Sequence, residues 1–226
     1  VGEEMGKVLA SLHERNGTTL RVGVGVDGLE GSDHVTGVRL ADGSTIDAEL
    51  VVVGIGVTPN VDWLAGSGLT LNNGVECDET LWTGADGVYA AGDLANWHNP
   101  TFGTRMRLEH WTIAAEQGGH AGRNAADPSA ATAFATVPYF WSDWYDHRIQ
   151  FVGVAAEADE ISTVFGDLDG DSFITLYRRG DRLIGALALD QRSQIMKYRA
   201  LLAKGASWAD AMEFAKERAA IAAAKS

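Results

Sequence analysis

The stretch VYAAGDLANW, Val88 to Trp97, places an apolar run, two alanines and a glycine directly before an aspartate, Asp93. The run through Gly92 has the composition of a buried strand, and a carboxylate at its end must meet donors, because a buried charge without a partner is strongly unfavourable. Two readings follow. Asp93 is a cap or turn residue at the strand's end, or its carboxylate accepts hydrogen bonds from the hydroxyls of a sugar or polyol. In the second case Ala90, Ala91 and Gly92 let a flat or extended ligand approach the backbone. In open α/β sheets, ligands lie beyond the carboxyl ends of the strands.

Working outward, Met5, Val8, Leu9 and Leu12 recur at helical spacing, with Gly17 placed to end the helix in a left-handed conformation. A weak strand is expected over 18–26. A hairpin turning at Asp42-Gly43 leads to the apolar run Leu50–Val53, whose continuous hydrophobicity predicts a parallel strand buried on both faces. A short helical turn follows near Asp62. Short strands are expected around Asn73-Gly74, then a helix from Glu109 whose Gly118-Gly119 pair allows close packing. Residues 126–136 are small and linker-like. Beyond them, four alternating segments with turns at Asp169-Gly170 and Gly180-Asp181 predict an antiparallel sheet with one wet face. Two helices follow it, the second capped by Ser207 and running to Lys225.

The chain has 226 residues, 46% of them hydrophobic, which supports a substantial core. Its net charge of −13 argues against a broad nucleic-acid-binding face. No apolar run reaches the roughly 18 residues of a membrane span. Cys77 is the single cysteine, so an intrachain disulfide, a CxxC pair and a cysteine-held iron–sulfur cluster are all excluded. The histidines show no metal-ligand spacing, and no metal site is expected. One free thiol fits a reducing compartment, and a cytoplasmic location is expected.

Four stretches together carry a resemblance. They are the Ala-x-Gly-Asp ending at Asp93, VVVGIGVTPNVDWL from Val51, RMRLEHWTIAAEQG from Arg105, and VPYFWSDWYD from Val137. In this order they resemble the FAD-dependent NAD(P)H:ferredoxin reductases of oxygenase and cytochrome P450 systems, which are flavoproteins with two dinucleotide-binding domains. The resemblance covers nearly the whole chain, but the chain lacks both GxGxxG fingerprints of that family. Gly23 and Gly25 in RVGVGVDG have no third glycine and no following helix. The resemblance thus implies the carboxyl-terminal half of such a protein, with the amino-terminal half as its missing partner. The implied fold is mixed α/β and α+β: remnants of two Rossmann-like domains, then an antiparallel sheet with helices. The boundaries expected are 1–54 for the end of the NAD domain, 55–128 for the second FAD segment, and 129–226 for the carboxyl-terminal domain.

By resemblance the cofactors are FAD and NAD(P)H, with NADH favoured, and the partner is a [2Fe-2S] ferredoxin. Asp93, with Gly92, would hold the ribityl chain. Glu109, His110, Trp111 and Thr112 would lie near the flavin and nicotinamide rings, the amides of Trp111 and Thr112 facing the pyrimidine edge. Glu109 is equally an ordinary first-turn acid, and Trp111 equally a core residue between domains. Gly54, Ile55, Gly56 and Pro59 form the crossover between domains, near NAD or as a hinge. Arg105 and Arg107, on alternate positions of an extended segment, would face one side and steer an acidic ferredoxin, or are solvated loop charges. Tyr139 through Tyr145 carries five aromatic residues in seven positions, a packed seam or a docking face. Tyr139 stands where relatives often have Trp, and Trp144 where they have Gln. Two alternatives stay open: the same scaffold with another acceptor, such as rubredoxin or a small molecule, and a non-catalytic half acting as a binding module.

Overall fold

In the computed structural model, residues 1–224 are described, and they divide into two units. Lys225, expected at the end of the last helix, lies outside the described residues.

The unit Leu9–Thr58 holds a three-stranded antiparallel sheet of β1 (Val26–Glu30), β2 (Gly37–Leu40) and β3 (Thr45–Asp47), paired in that order. The predicted turn at Asp42-Gly43 is present. The Asp42 carboxylate accepts from the Ser44 amide (2.9 Å) and hydroxyl (2.6 Å). Two expectations fail here. The strand over 18–26 is absent, because the ladder with β2 ends at Val26 and the residues before it find no partner strand. The strand at Leu50–Val53 is absent too. Leu50, Val52 and Ile55 are 81%, 87% and 91% exposed. A parallel strand takes all its backbone partners from distant segments, and no strand among the described residues pairs with this one.

In the other unit, β4 (Val75–Cys77) pairs in parallel with β5 (Ala95–Asn99), and β6 (Thr104–Met106) closes the sheet antiparallel. The strand expected to end at Asp93 lies elsewhere. Gly92 takes φ +77 and opens a 3-10 turn, Gly92–Leu94, so the extended segment resumes after Asp93 as β5. Trp97 on β5 is fully buried, its ring 5.9 Å from Phe134. Helix α1, Glu3–Arg15, belongs to this unit as far as Val8 and to the unit Leu9–Thr58 beyond it; Met5, Leu9 and Leu12 are buried and Gly17 is left-handed after it. Helix α2 (Trp111–Ala126) buries Ile113, Gln117, Ala121 and Asn124 along one stripe. Gly118 and Gly119 fall on its exposed side, so the close packing expected of them is not made.

The carboxyl-terminal sheet has five antiparallel strands in the order β7 (Tyr139–Trp144), β8 (His147–Gly153), β11 (Arg182–Leu189), β10 (Phe173–Arg179), β9 (Glu160–Gly166). The aromatic run is the fifth strand, which alternation had not revealed. One face packs Val152, Ile174, Leu176, Ala186 and Ala188 against Ile195, Tyr198 and Leu202 of α3 (Arg192–Ala203) and Ala211 of α4 (Trp208–Ala223). The other face is not wet as expected. Phe151, Phe173, Tyr177 and Leu187 are buried there, and the Tyr177 hydroxyl donates to the Val1 carbonyl at 2.7 Å. Ser207 caps α4 as predicted, in a reciprocal box with Asp210. No helix among the described residues is long and apolar enough to cross a membrane.

Candidate functional site

The 3-10 turn at Gly92 and the start of α2 are built together. The Gly92 amide donates to Gln117 Oε1 of α2 at 2.8 Å. A Cβ on Gly92 would reach the Ala114 methyl at 3.5 Å, and its φ of +77 suits glycine. Asp93 is exposed rather than buried, and its carboxylate has no protein partner among the described residues. Its carbonyl is held instead, accepting from Arg107 Nη1 at 2.9 Å. The same guanidinium donates from Nη2 to Glu109 Oε1 (2.7 Å) and from Nε to Asn73 Oδ1 (3.2 Å).

Arg107 therefore departs from the expected surface pair. Its side chain is 10% exposed and already ion-paired. Arg105 Nη1 donates to the carbonyls of Cys77 (2.9 Å) and Asn96 (2.6 Å). Extended backbone ends at Met106, so the two arginines do not share one strand face.

His110 precedes α2 in extended conformation (φ −114, ψ 126) and makes no side-chain cap bond. The first helical amides thus keep their positive end uncapped by a side chain. Trp111 is 79% exposed. Thr112 Oγ1 donates to the Tyr139 carbonyl of β7 at 3.1 Å, which ties the helix start to the aromatic strand. The His110 ring lies 5.3 Å from that of Phe140, and its Nδ1 is buried without a partner. Burial pushes the imidazolium pKa below its ordinary value, against the pull of Asp93 and Glu109, and favours the neutral ring. The Tyr139 hydroxyl accepts from Gln150 Nε2 at 2.7 Å, and the Arg199 guanidinium lies 5.8 Å from the Tyr139 ring centroid.

A cleft of about 150 Å³ opens between these elements, lined by Glu109, His110, Trp111 and Thr112 on one side and Tyr139, Phe140 and Trp141 on the other. Aromatic walls, an unpartnered buried ring nitrogen, a helix start and the exposed Asp93 carboxylate, whose charge acts on the His110 ring, fit a flat ring with a hydroxylated chain. These features suit FAD.

Of the predicted residues, the fold brings Glu109, His110, Trp111, Thr112 and Tyr139 into one cleft and links Gly92 and Asp93 to it through Gln117 and Arg107. Gly54, Ile55 and Gly56 belong to the other unit and are exposed, with no atom within 4 Å of a Cβ built on either glycine. Pro59 is the first residue of the longer segment, Pro59–Ser226, of the unit that holds the cleft. Trp144 is half-buried at the end of β7, three residues beyond the cleft wall. Phe140 and Trp141, read in the sequence as part of the aromatic seam, line the cleft as well, and Gln117 is the residue the sequence did not reveal. The signal for Gln117 was an amide side chain in the buried stripe of α2, which it shares with Asn124. Cys77 is buried and its thiol pKa is pushed up to about 12, so it stays protonated.

Comparison with known proteins agrees with this geometry. The family profile described as pyridine nucleotide-disulphide oxidoreductase matches residues 1–118, and one described as reductase C-terminal matches residues 139–224. The chain is 35% identical over 207 residues to the 5,5'-dehydrodivanillate O-demethylase ferredoxin reductase subunit of Sphingobium sp., covering 90% of this chain and 50% of that protein. It is 32% identical to the crystal structure of the ferredoxin reductase for the CYP199A2 system from Rhodopseudomonas palustris, with a TM-score of 0.84 over 92% of this chain and 51% of the other. It is 27% identical to the reductase in the covalent putidaredoxin reductase–putidaredoxin complex, with a TM-score of 0.83 over 91% and 49% of the two chains. The chain spans about half the length of the curated relatives it matches. With the cleft, the uncapped helix start and the two-part family match in agreement, this chain belongs to the pyridine nucleotide-disulphide oxidoreductase family, in its branch of FAD-dependent NAD(P)H:ferredoxin reductases.

Proposed function

We propose that this chain contributes the flavin-side half of a reductase that passes electrons from NAD(P)H, with NADH favoured, through FAD to a [2Fe-2S] ferredoxin. The observation that carries the proposal is the cleft at the start of α2, with its aromatic strand opposite and the free Asp93 carboxylate beside it. When bound, the flavin supplies the conversion of a two-electron hydride donor into single electrons for an iron–sulfur acceptor. The protein's part is binding and electrostatics. The Asp93 carboxylate accepts from hydroxyls of the ribityl chain, and Gly92 lets that chain approach. The amides of Trp111 and Thr112 stabilise negative charge at the pyrimidine edge by roughly 0.3–2 kcal/mol. Glu109, one oxygen of which is free of Arg107, meets the flavin ring and orients the nicotinamide amide beside it. The neutral His110 ring adds no positive charge. Tyr139 and Trp141 keep water from the ring.

In this reading residues 1–54 belong with the NAD domain, 55–128 with the FAD domain and 129–226 with the carboxyl-terminal domain. Gly54, Ile55, Gly56 and Pro59 serve the crossover near NAD. Tyr139, Trp144 and Arg105 face the ferredoxin, and Arg107 is assigned elsewhere. A disulfide acceptor is disfavoured, because the single thiol is buried and held protonated. A cytoplasmic location belongs to the same reading.

Titrating the purified chain with FAD, followed by the visible flavin bands, tests the proposal. Uptake with a perturbed band is the expected result. Because this chain carries neither GxGxxG loop, it is expected to be inactive alone, with no bleaching by NADH and no reduction of an added [2Fe-2S] ferredoxin. Free, unperturbed FAD at tens of micromolar protein would overturn the reading for this chain.

A further inference from the structure

Arg107 is the most heavily used side chain near the cleft, yet it does not line it. Its three bonds go to three separate segments: the Asn73-Gly74 turn, the Gly92–Leu94 turn, and Glu109 at the entrance to α2. Two of these segments carry the carboxylates assigned above. At Asp93 the clamp takes the backbone carbonyl and leaves the carboxylate free. At Glu109 it takes one carboxylate oxygen and leaves the other. A planar guanidinium with a fixed fork of donors can hold three acceptors in set directions, which a lysine cannot.

The Asn73-Gly74 turn, to which sequence reading gave no function, now has a role. Asn73 supplies one of the three acceptors. Gly74 sits at φ +119, where a Cβ would collide with the Leu94 carbonyl and come within 3.0 Å of Arg107 Cδ. Glycine is therefore required both by the backbone conformation and by the passage of the arginine.

We infer that Arg107, seated by the Asn73-Gly74 turn, is a positioning residue that fixes the Asp93 and Glu109 carboxylates relative to one another for a flavin with its polyol chain. This inference rests on the flavin reading above. It places Arg107 inside the binding machinery and removes it from the docking surface. Because the guanidinium neutralises Glu109, replacing Arg107 also alters what Glu109 does, so the two residues are energetically coupled.

The test is a double-mutant cycle on FAD affinity, read by quenching of flavin fluorescence, with the thermal midpoint of each variant followed in parallel. R107M is expected to weaken FAD binding at least tenfold. R107K, which keeps the charge and loses the fork, is expected to recover only part of that loss. E109Q should weaken binding in the presence of Arg107 and add no further loss in R107M. G74A, which touches no ligand, should reproduce the R107K phenotype. The salt dependence of ferredoxin binding should be the same in R107M, which removes the charge, as in the parent.

Parent-like FAD affinity in R107M, fully additive losses in the cycle, or full rescue by R107K would each overturn the inference and leave the flavin reading standing. A shallower salt dependence of ferredoxin binding in R107M would return Arg107 to the docking surface and overturn it too. Failure of the parent chain to take up FAD would overturn both readings at once, and that outcome is visible before any variant is made.

Discussion

Strand β11, RLIGALAL, and the stretch 50–57, LVVVGIGV, are both almost wholly aliphatic residues and glycine. Their fates are opposite. Along β11, Leu183, Ile184, Leu187 and Leu189 are all buried, whereas Leu50, Val52, Val53, Ile55 and Val57 are all exposed. The difference lies in where the partners are. β11 follows β10 across the Gly180-Asp181 turn, pairs with β8 on its other edge, and is covered by α3 within a few residues of its end. Hairpin partners lie close in sequence, so loop closure is cheap and the register is set locally. The run at 50–57 has the composition of a parallel strand, and such a strand takes its neighbours from far along a chain. A hydrophobic pattern thus states a demand for burial, and meeting it depends on which segments are at hand.

Three measurements would break or sharpen this contrast. The largest effect is expected at the sheet. Leu187→Ala, at a fully buried position of β11, should destabilise the protein by about 2–5 kcal/mol, read from urea unfolding of the carboxyl-terminal sheet. A loss under about 1 kcal/mol would mean that β11 is not the packed centre of its sheet. A smaller effect is expected at Ser207, whose side chain accepts from the Asp210 amide at 3.1 Å. Ser207→Ala should cost about 1 kcal/mol through the lost cap of a helix that covers the sheet. The smallest belongs to the exposed run. Val52→Lys with Ile55→Lys should change unfolding by about 0.5 kcal/mol or less and should reduce self-association in light scattering, because an apolar surface patch is removed. A large loss of stability there would show that the run is buried in solution.

The candidate site shows the same division between near and far. Its two short runs, Glu109 to Thr112 and Tyr139 onward, are singled out in the sequence by family resemblance, and the structure brings both to one cleft. The letters could not tell that Tyr139–Trp144 is a strand, because aromatic residues on both faces hide the period of two. Nor could they place Arg107. An arginine in an acidic chain reads as a surface charge, and only the meeting of Asn73, Asp93 and Glu109 around it makes it internal. Asp93 moved the other way, from an expected buried carboxylate to an exposed one, because the left-handed Gly92 breaks the strand before it.

The sequence alone was enough for the local pieces: the helix after Met106, read from Glu109 and found from Trp111, the turns at Asp42-Gly43, Asp169-Gly170 and Gly180-Asp181, the Ser207 cap, and four of the five antiparallel strands. Each follows from backbone preference and hydrophobic period over a few residues. Tertiary structure alone decided which apolar runs are covered, which faces of the sheet are dry, and which polar atoms are consumed by the fold and which are left for a ligand. These outcomes depend on contacts between segments tens of residues apart, and no local pattern carries that information.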